Sequence, residues 1–98
     1  MRIISRTTLS DFWKGPNHGD SEVPLRSWFD EAKNADWAGP ADVKALYRSA
    51  SFVGDRVVFN IAGNKYRLVV YINYPYRVIY IRFVGTHKAY DKIIVEDV

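Results

Sequence analysis

The hydrophobic pattern of this 98-residue chain changes period once, near residue 52. Before that point, apolar residues recur at the spacing of helices that bury one side. After it, β-branched and aromatic residues dominate short runs separated by turn residues, which indicates antiparallel strands. We therefore expect one α+β domain over residues 1–98, with two to three N-terminal helices packed on a small, mainly three-stranded antiparallel sheet.

The helices are predicted from apolar spacing and from residues that cap or stop a helix. A first short helix begins after a cap at Thr7 or Thr8. A second covers roughly residues 22–36, with a cap at Asp20 or Ser21 and an apolar side that faces the core. A third, shorter helix precedes the strands. The first few residues have the composition of a short initial strand.

Three turn signals separate the strands, at Gly54-Asp55, at Gly63-Asn64 and at residues 73–76, and the last two set the register. A two-residue loop at Gly63-Asn64, where both residues tolerate positive φ, places Asn60 opposite Arg67. A four-residue loop at residues 73–76 then places Arg67 opposite Arg82. Like charges placed opposite each other destabilise a sheet, so a row of Asn60, Arg67 and Arg82 calls for an anion above it. A register error of one residue would instead put Arg82 on the other face.

The same register assigns the strand residues to two faces. It pairs Ile72 with Arg77 and Val69 with Tyr80. The face expected to pack on the second helix consists of Tyr66, Leu68, Val70, Ile72, Ile79, Ile81 and Phe83.

Positive charge is concentrated in the strand half of the chain. Fourteen Lys and Arg residues against 11 Asp and Glu residues give a net charge of +3. Residues 56–90 hold six of the basic residues and no Asp or Glu, and six tyrosines are interleaved with them. Basic and aromatic residues on one surface are typical of sites that bind single-stranded nucleic acid. The sequence therefore predicts a surface for a polyanion.

Residues that the chain lacks exclude several classes of protein. The absence of cysteine excludes a disulfide framework, a thiolate metal site and a cysteine nucleophile. Two histidines cannot build a zinc site of the usual kind. No apolar stretch approaches the roughly 20 residues that cross a bilayer, and no secretory signal is expected. We expect a cytoplasmic protein that uses no metal or cofactor and contacts no membrane.

His87 is the best candidate for acid–base chemistry. It follows a glycine bend at Gly85, and an imidazole can take or give a proton near neutral pH. Beside it, Lys88 can stabilise phosphate charge, and Tyr90 can stack on a base or bond a phosphate. The alternative is a solvated loop histidine, with Tyr90 in the core and Thr86 capping a helical turn.

An RNA substrate would divide the chemistry among these residues. Arg67 and Arg82 would hold the scissile phosphate, while His87 moves a proton. The adjacent ribose 2′-hydroxyl would attack in line, without a metal. DNA lacks that hydroxyl and would not be cleaved.

Two ordered motifs resemble the HigB family of type II toxins, within the RelE-like superfamily. The first is Val58–Leu68, read as V-F-N-I-x-G-N-x-Y-R-L, and the second is Tyr80–Asp91, read as Y-I-R-x-V-x-T-H-K-x-Y-D. The resemblance implies a small α+β fold and an endoribonuclease that cleaves translated mRNA on the ribosome. It also implies a HigA-type helix-turn-helix antitoxin, through which the pair reaches operator DNA.

Spacing and resemblance together define the predicted site. The expected catalytic residues are Arg67, Arg82, His87 and Tyr90. The expected RNA-binding residues are Asn60, Asn64, Lys65 and Lys88. Structural roles compete for two of these, since Asn60 can satisfy polar groups at a strand edge and Asn64 can supply a positive-φ turn position. Two other functions stay open: a non-catalytic RNA- or ribosome-binding module, and a degenerate toxin kept as a partner of its antitoxin.

Overall fold

Three helices precede the main strands, and one short helical turn follows them. A computed structural model describes all 98 residues. The helices are α1 (Arg6–Trp13), α2 (Glu22–Asn34), α3 (Pro40–Leu46) and α4 (His87–Tyr90), with 3-10 turns at Gly19–Ser21 and Val95–Asp97. The strands are β1 (Arg2–Ile4), β2 (Ser51–Val53), β3 (Arg56–Ile61), β4 (Tyr66–Asn73) and β5 (Val78–Thr86). None of the helices is long and apolar enough to cross a lipid bilayer.

The α+β class is confirmed, but the sheet has five strands instead of the mainly three expected. Its order is β1-β5-β4-β3-β2, and the three long strands form an antiparallel centre. Two three-residue strands add the edges: β1 pairs in parallel with β5, and β2 pairs antiparallel with β3. β1 confirms the expected initial strand, and the turn expected at Gly54-Asp55 joins β2 to β3.

The helices lie where apolar spacing predicts them, but their caps differ from prediction. α1 begins at Arg6, so neither Thr7 nor Thr8 caps it. α2 follows directly on a 3-10 turn, and neither Asp20 nor Ser21 makes a side-chain cap bond. The 3-10 turn supplies helical backbone ahead of α2, which removes the need for a separate cap.

The three N-terminal helices and one face of the sheet enclose a core of 17 buried residues. Phe59 of β3 lies at its centre, with ring centroids 5.4 Å from Trp28, 6.3 Å from Trp37 and 5.1 Å from Tyr47. The predicted sheet side of the core is confirmed for Tyr66, Leu68, Val70, Ile72, Ile79 and Ile81. Phe83 is absent from it, because a bulge in β5 turns this residue to the other face.

The first hairpin confirms one predicted pair and corrects the turn. Asn60 pairs with Arg67, as expected. The loop has four residues instead of two, and its positive φ angles lie on Ala62 (54°) and Gly63 (67°). The proposed turn role of Asn64 is therefore wrong.

The second hairpin shifts the register between β4 and β5. The predicted pairs of Ile72 with Arg77 and of Val69 with Tyr80 are both wrong. The turn comes one residue later than expected, at residues 74–77, and Arg77 adopts a φ of 56° in it. Near the turn, each β4 residue therefore pairs with a β5 residue two positions later than predicted.

A β-bulge at Arg82 displaces the register once more. Val69 pairs with Phe83, whereas Val70 pairs with Ile81, so Arg82 has no partner on β4. A bulge of this kind bends the strand and turns two successive residues toward the same face. Beyond Arg82, the side chains of β5 lie on the opposite faces of the sheet from those that the sequence predicts.

The face of the sheet that points away from α1–α3, called the open face below, carries the predicted site. Asn60, Arg67 and Gly85 form one row across β3, β4 and β5. The predicted row of Asn60, Arg67 and Arg82 is wrong because Gly85 takes the third position. Arg82 nevertheless lies on the open face, since its guanidinium carbon is 5.6 Å from the ring centroid of Tyr80, which faces that side.

Candidate active site

Arg67 is held on the open face, at the start of β4, by main-chain carbonyl groups. Its Nη1 atom donates to the Asn64 carbonyl at 2.9 Å and to the Tyr66 carbonyl at 3.2 Å. Its guanidinium carbon lies 5.9 Å from the ring centroid of Tyr90, and it forms no ion pair. A guanidinium has five N–H donors, so most of them stay available for an anion above the sheet.

His87 begins α4 beside the first residues of β4. Its main-chain N–H donates to the Lys65 carbonyl at 3.1 Å. The Thr86 hydroxyl accepts a bond from the Ala89 N–H at 3.0 Å, which confirms the predicted cap. The Nε2 atom of His87 lies 3.5 Å from Oδ1 of Asp91, and both side chains are more than half exposed. In a neutral imidazole one ring nitrogen donates and the other accepts, and Nε2 is the nitrogen of His87 that lies near this carboxylate.

α4 presents two more of the predicted residues. Tyr90 follows His87 by three positions, so the two side chains project from the same side of the helical turn. Tyr90 is half-buried and lies outside the core, while Lys88 is exposed and forms no ion pair. Arg67, His87 and Tyr90 are called the α4 cluster below.

Arg82 does not join the α4 cluster. It lies three residues before Gly85, the partner of Arg67, which is roughly 10 Å along a strand that rises about 3.3 Å per residue. Its side chain is exposed and carries no acidic partner. Arg82 thus extends the positive surface along the open face, away from the α4 cluster.

The predicted RNA-binding residues of the first hairpin occupy three different environments. Asn60 is half-buried beside Arg67. Asn64 is exposed and supports Arg67 through its carbonyl. Lys65 forms an ion pair with Asp20, so its charge is already neutralised in part. Asn60 and Asn64 therefore flank Arg67, whereas Lys65 faces the helical layer.

Asp20 is the residue of this region whose contacts the sequence did not reveal. Its two carboxylate oxygens accept hydrogen bonds from Nζ of Lys65 and from the hydroxyl of Tyr66. These hydrogen bonds, that from Lys65 more than that from Tyr66, hold the pKa of Asp20 below its usual value. The same contacts raise the pKa of Lys65 and of Tyr66. No short-range pattern predicts them, because 45 and 46 residues separate the partners.

These contacts make the stability of the fold depend on pH through Asp20. A carboxyl whose pKa is lowered by folding stabilises the protein above its unfolded pKa, about 3.9, and this contribution is lost as the pH falls through the folded value. We expect Asp20→Asn to lower the melting temperature at pH 6 and to matter less at pH 3. Thermal melts of both proteins at the two pH values check this, and an equal difference at both would contradict it.

The α4 cluster lies on an open surface and not in a cavity. The protein has a cavity of about 100 Å³ between α1 and α2 and a groove of about 430 Å³ near Arg56 and Tyr71. Neither is lined by a residue of the α4 cluster. Small-molecule sites are usually concave and largely apolar, so an exposed basic and aromatic surface suits an extended polyanion better.

Comparison with known proteins assigns the chain to a family. Residues 21–93 match the model of HigB_toxin, described as the RelE-like toxic component of a toxin-antitoxin system. The chain belongs to this family. The match includes β4, β5 and α4, which hold Arg67, Arg82 and His87.

Curated relatives of this HigB-family chain point the same way. The mRNA interferase toxin HigB of Escherichia coli strain K12 is 33% identical over 95 residues, which cover 93% of this chain and 88% of the relative. The mRNA interferase HigB of Shigella flexneri gives the same values. That of Escherichia coli O6:H1 is 22% identical over 96 residues, covering 95% and 91%. The family resemblance drawn from residues 58–68 and 80–91 is therefore confirmed.

Proposed function

We propose that this HigB-family chain is a ribosome-dependent endoribonuclease that cleaves translated mRNA at the α4 cluster. The observation that carries the proposal is the guanidinium of Arg67 beside the ring of Tyr90, with His87 in the same helical turn, on an exposed, cation-rich surface. Relatives that match nearly the whole chain are named mRNA interferases, which supports mRNA as the substrate. The same surface gives the open alternative, a module that binds RNA without cutting it.

In the proposed reaction, Arg67 holds the scissile phosphate. Carbonyl bonds from Asn64 and Tyr66 fix its guanidinium before the substrate arrives. Donors fixed in advance stabilise the extra negative charge of the transition state without reorganising during the reaction. Arg82 lies three residues before the β5 partner of Arg67, so it binds a neighbouring phosphate on the open face.

His87 acts as the general base toward the ribose 2′-hydroxyl. Nδ1 takes the proton as the 2′-oxygen forms a bond to phosphorus, and the bond from phosphorus to the 5′-oxygen breaks. The products are a 2′,3′-cyclic phosphate and a 5′-hydroxyl whose proton comes from water. Asp91, beside Nε2, sets the tautomer of His87 and stabilises the imidazolium that forms. Tyr90 offers its half-exposed ring for stacking on a base.

Membership in a toxin–antitoxin family implies an antitoxin partner. We infer that its antitoxin is a HigA-type helix-turn-helix protein. The chain contacts operator DNA only through that partner. Asn60, Asn64, Lys65 and Lys88 complete the RNA-binding surface, and Lys65 keeps its ion pair with Asp20 when RNA binds. The site of action is the ribosome in the cytoplasm.

Binding to single-stranded RNA is expected to weaken steeply with salt. Arg67, Arg82 and Lys88 carry no acidic partner, and three phosphate contacts give a slope of about −2 in log K against log salt. Arg82→Ala should reduce the slope by about 0.7. Filter-binding or anisotropy titrations at several salt concentrations, made with the His87→Ala variant to prevent cleavage, measure both. A slope near zero would contradict the proposed surface.

The proposed function is tested by primer extension on a defined mRNA, incubated with the protein in the presence and absence of translating ribosomes. Arg67→Ala is the site variant, and Arg48→Ala, which removes an exposed arginine between α3 and β2, is its matched control. We expect cuts only with ribosomes, made by the wild type and the control. Cuts on naked RNA would overturn the ribosome requirement. No cuts, with ribosome binding retained, would favour the non-catalytic module.

A further inference from the structure

Asp20 joins the helical layer of the protein to the start of β4. It lies in the 3-10 turn ahead of α2 and bonds both Lys65 and Tyr66. The Tyr66 side chain is buried, with the ring of Phe12 at 5.3 Å and that of His18 at 5.9 Å. Those rings fix the position of the phenol, while Asp20 is the hydrogen-bond partner of its hydroxyl.

The two residues that Asp20 holds also support the α4 cluster. The Lys65 carbonyl accepts the main-chain N–H of His87, and the Tyr66 carbonyl accepts from Arg67. Tyr66 in addition pairs across the sheet with Thr86, the residue that caps α4. Residues 64–66 are therefore the common support of Arg67 and His87.

This support lies at the end of an exposed loop with little other anchorage. The loop of residues 62–65 contains two positive-φ positions, and the Lys65 bond to Asp20 is its one side-chain hydrogen bond. A segment of this kind moves easily unless a side chain fixes it. Asp20 supplies that fixation from outside the hairpin.

We propose that Asp20 is a positioning residue for mRNA cleavage, which sets the geometry of Arg67 and His87 through Lys65 and Tyr66. The inference rests on the proposed function of the α4 cluster. Loss of the carboxylate leaves a buried phenol without its acceptor and releases the Lys65 side chain. The carbonyls of Lys65 and Tyr66 then shift, and with them the two groups that act on the phosphate. A displacement of about 1 Å at such a site can lower the rate by about 100-fold.

The experiment compares Asp20→Ala with Asp36→Ala, which breaks another exposed ion pair, that of Asp36 with Arg77, far from the site. Single-turnover cleavage of ribosome-bound mRNA is measured against protein concentration. We expect Asp20→Ala to lower the maximal rate by about 10-fold or more while half-saturation changes by less than about three-fold. Asp36→Ala should leave both unchanged.

A second measurement separates positioning from a general loss of stability. Hydrogen exchange of the His87 amide in Asp20→Ala should accelerate by about 10-fold more than that of the core amides of Phe59 and Val70, whose protection falls only with global stability. The double variant Asp20→Ala/Tyr66→Phe should cleave no more slowly than the slower single variant, because both changes break one connection. Additive losses, or equal acceleration in the core, would overturn the inference.

The outcomes also distinguish this inference from the proposed function. If Arg67→Ala is inactive while Asp20→Ala cleaves like the wild type, the site stands and the positioning role of Asp20 is wrong. If Arg67→Ala cleaves like the wild type, the proposed site is wrong. The exchange rate of the His87 amide does not depend on activity, so it decides the role of Asp20 even for a protein that does not cleave.

Discussion

Replacing His87 by alanine is expected to lower the single-turnover rate of mRNA cleavage by about 100- to 10,000-fold. This range is typical for the loss of a general base. Asp91 cannot take over the role of His87, because its carboxylate lies near Nε2, on the far side of the ring from Nδ1. Binding to the ribosome should change by less than about three-fold, since the proton transfer belongs to the transition state. Quenched-flow cleavage of a labelled mRNA on programmed ribosomes measures the rate.

His18→Ala is the matched control for this prediction. His18 is the other histidine of the chain, and its ring stacks on Phe12 with centroids 4.2 Å apart, on the core side of the sheet. Its removal should lower the cleavage rate far less than His87→Ala does, by less than about ten-fold, because it does not face the open surface and reaches the site only through its ring contact with Tyr66. A His87→Ala protein that cleaves at the wild-type rate would show that another group takes the proton.

Replacing Phe59 by alanine is expected to destabilise the fold by about 3–5 kcal/mol. Phe59 is 1% exposed and lies among Trp28, Trp37 and Tyr47, so truncation leaves a cavity that no flexible side chain can fill. Domains of this size are stable by only about 5–15 kcal/mol, so the loss takes a large part of the total. Urea denaturation followed by tryptophan fluorescence measures it.

Phe52→Ala is the matched control for the core. Phe52 is 40% exposed at the β2 edge, and its loss should cost less than about 1 kcal/mol. Similar losses for Phe52→Ala and Phe59→Ala would show that the aromatic cluster around Phe59 is not the centre of the core.

The sequence predicts the parts of the fold that local rules determine. Apolar spacing locates three helices, and the alternation of β4 assigns Leu68, Val70 and Ile72 to the core face. The pairing of Asn60 with Arg67 follows from strand parity, although the turn between them is longer than expected. Local periodicity is a short-range signal, and these features depend on it alone.

The register of β5 is the feature of the sheet that the sequence does not predict. Two irregularities cause the error, and neither carries its usual signal. Arg77 adopts positive φ in the second turn, a conformation for which glycine or asparagine is the common residue. Arg82 forms the bulge without a neighbouring glycine or proline. Both depend on how the completed sheet twists and packs, which no window of sequence contains.

The site shows the same division between local and long-range signals. The motif around His87 predicts α4 and its Thr86 cap, and Arg67 faces the side expected of it. Asp91 follows His87 at the i, i+4 spacing of a helical pair, so this contact carries a signal in the sequence itself. Asp20 gives no such signal, because its contacts form only when the helical layer meets the sheet.

In the proposed reaction, the open face positions a ribose 2′-hydroxyl to attack the adjacent phosphate. The direct test replaces the single nucleotide before a mapped cut with its 2′-deoxy form, in an mRNA that is otherwise unchanged and still translated. We expect cutting at that position to disappear while binding to the ribosome persists. We also expect a 2′,3′-cyclic phosphate on the product of the unmodified mRNA. Undiminished cutting of the 2′-deoxy mRNA would contradict this mechanism.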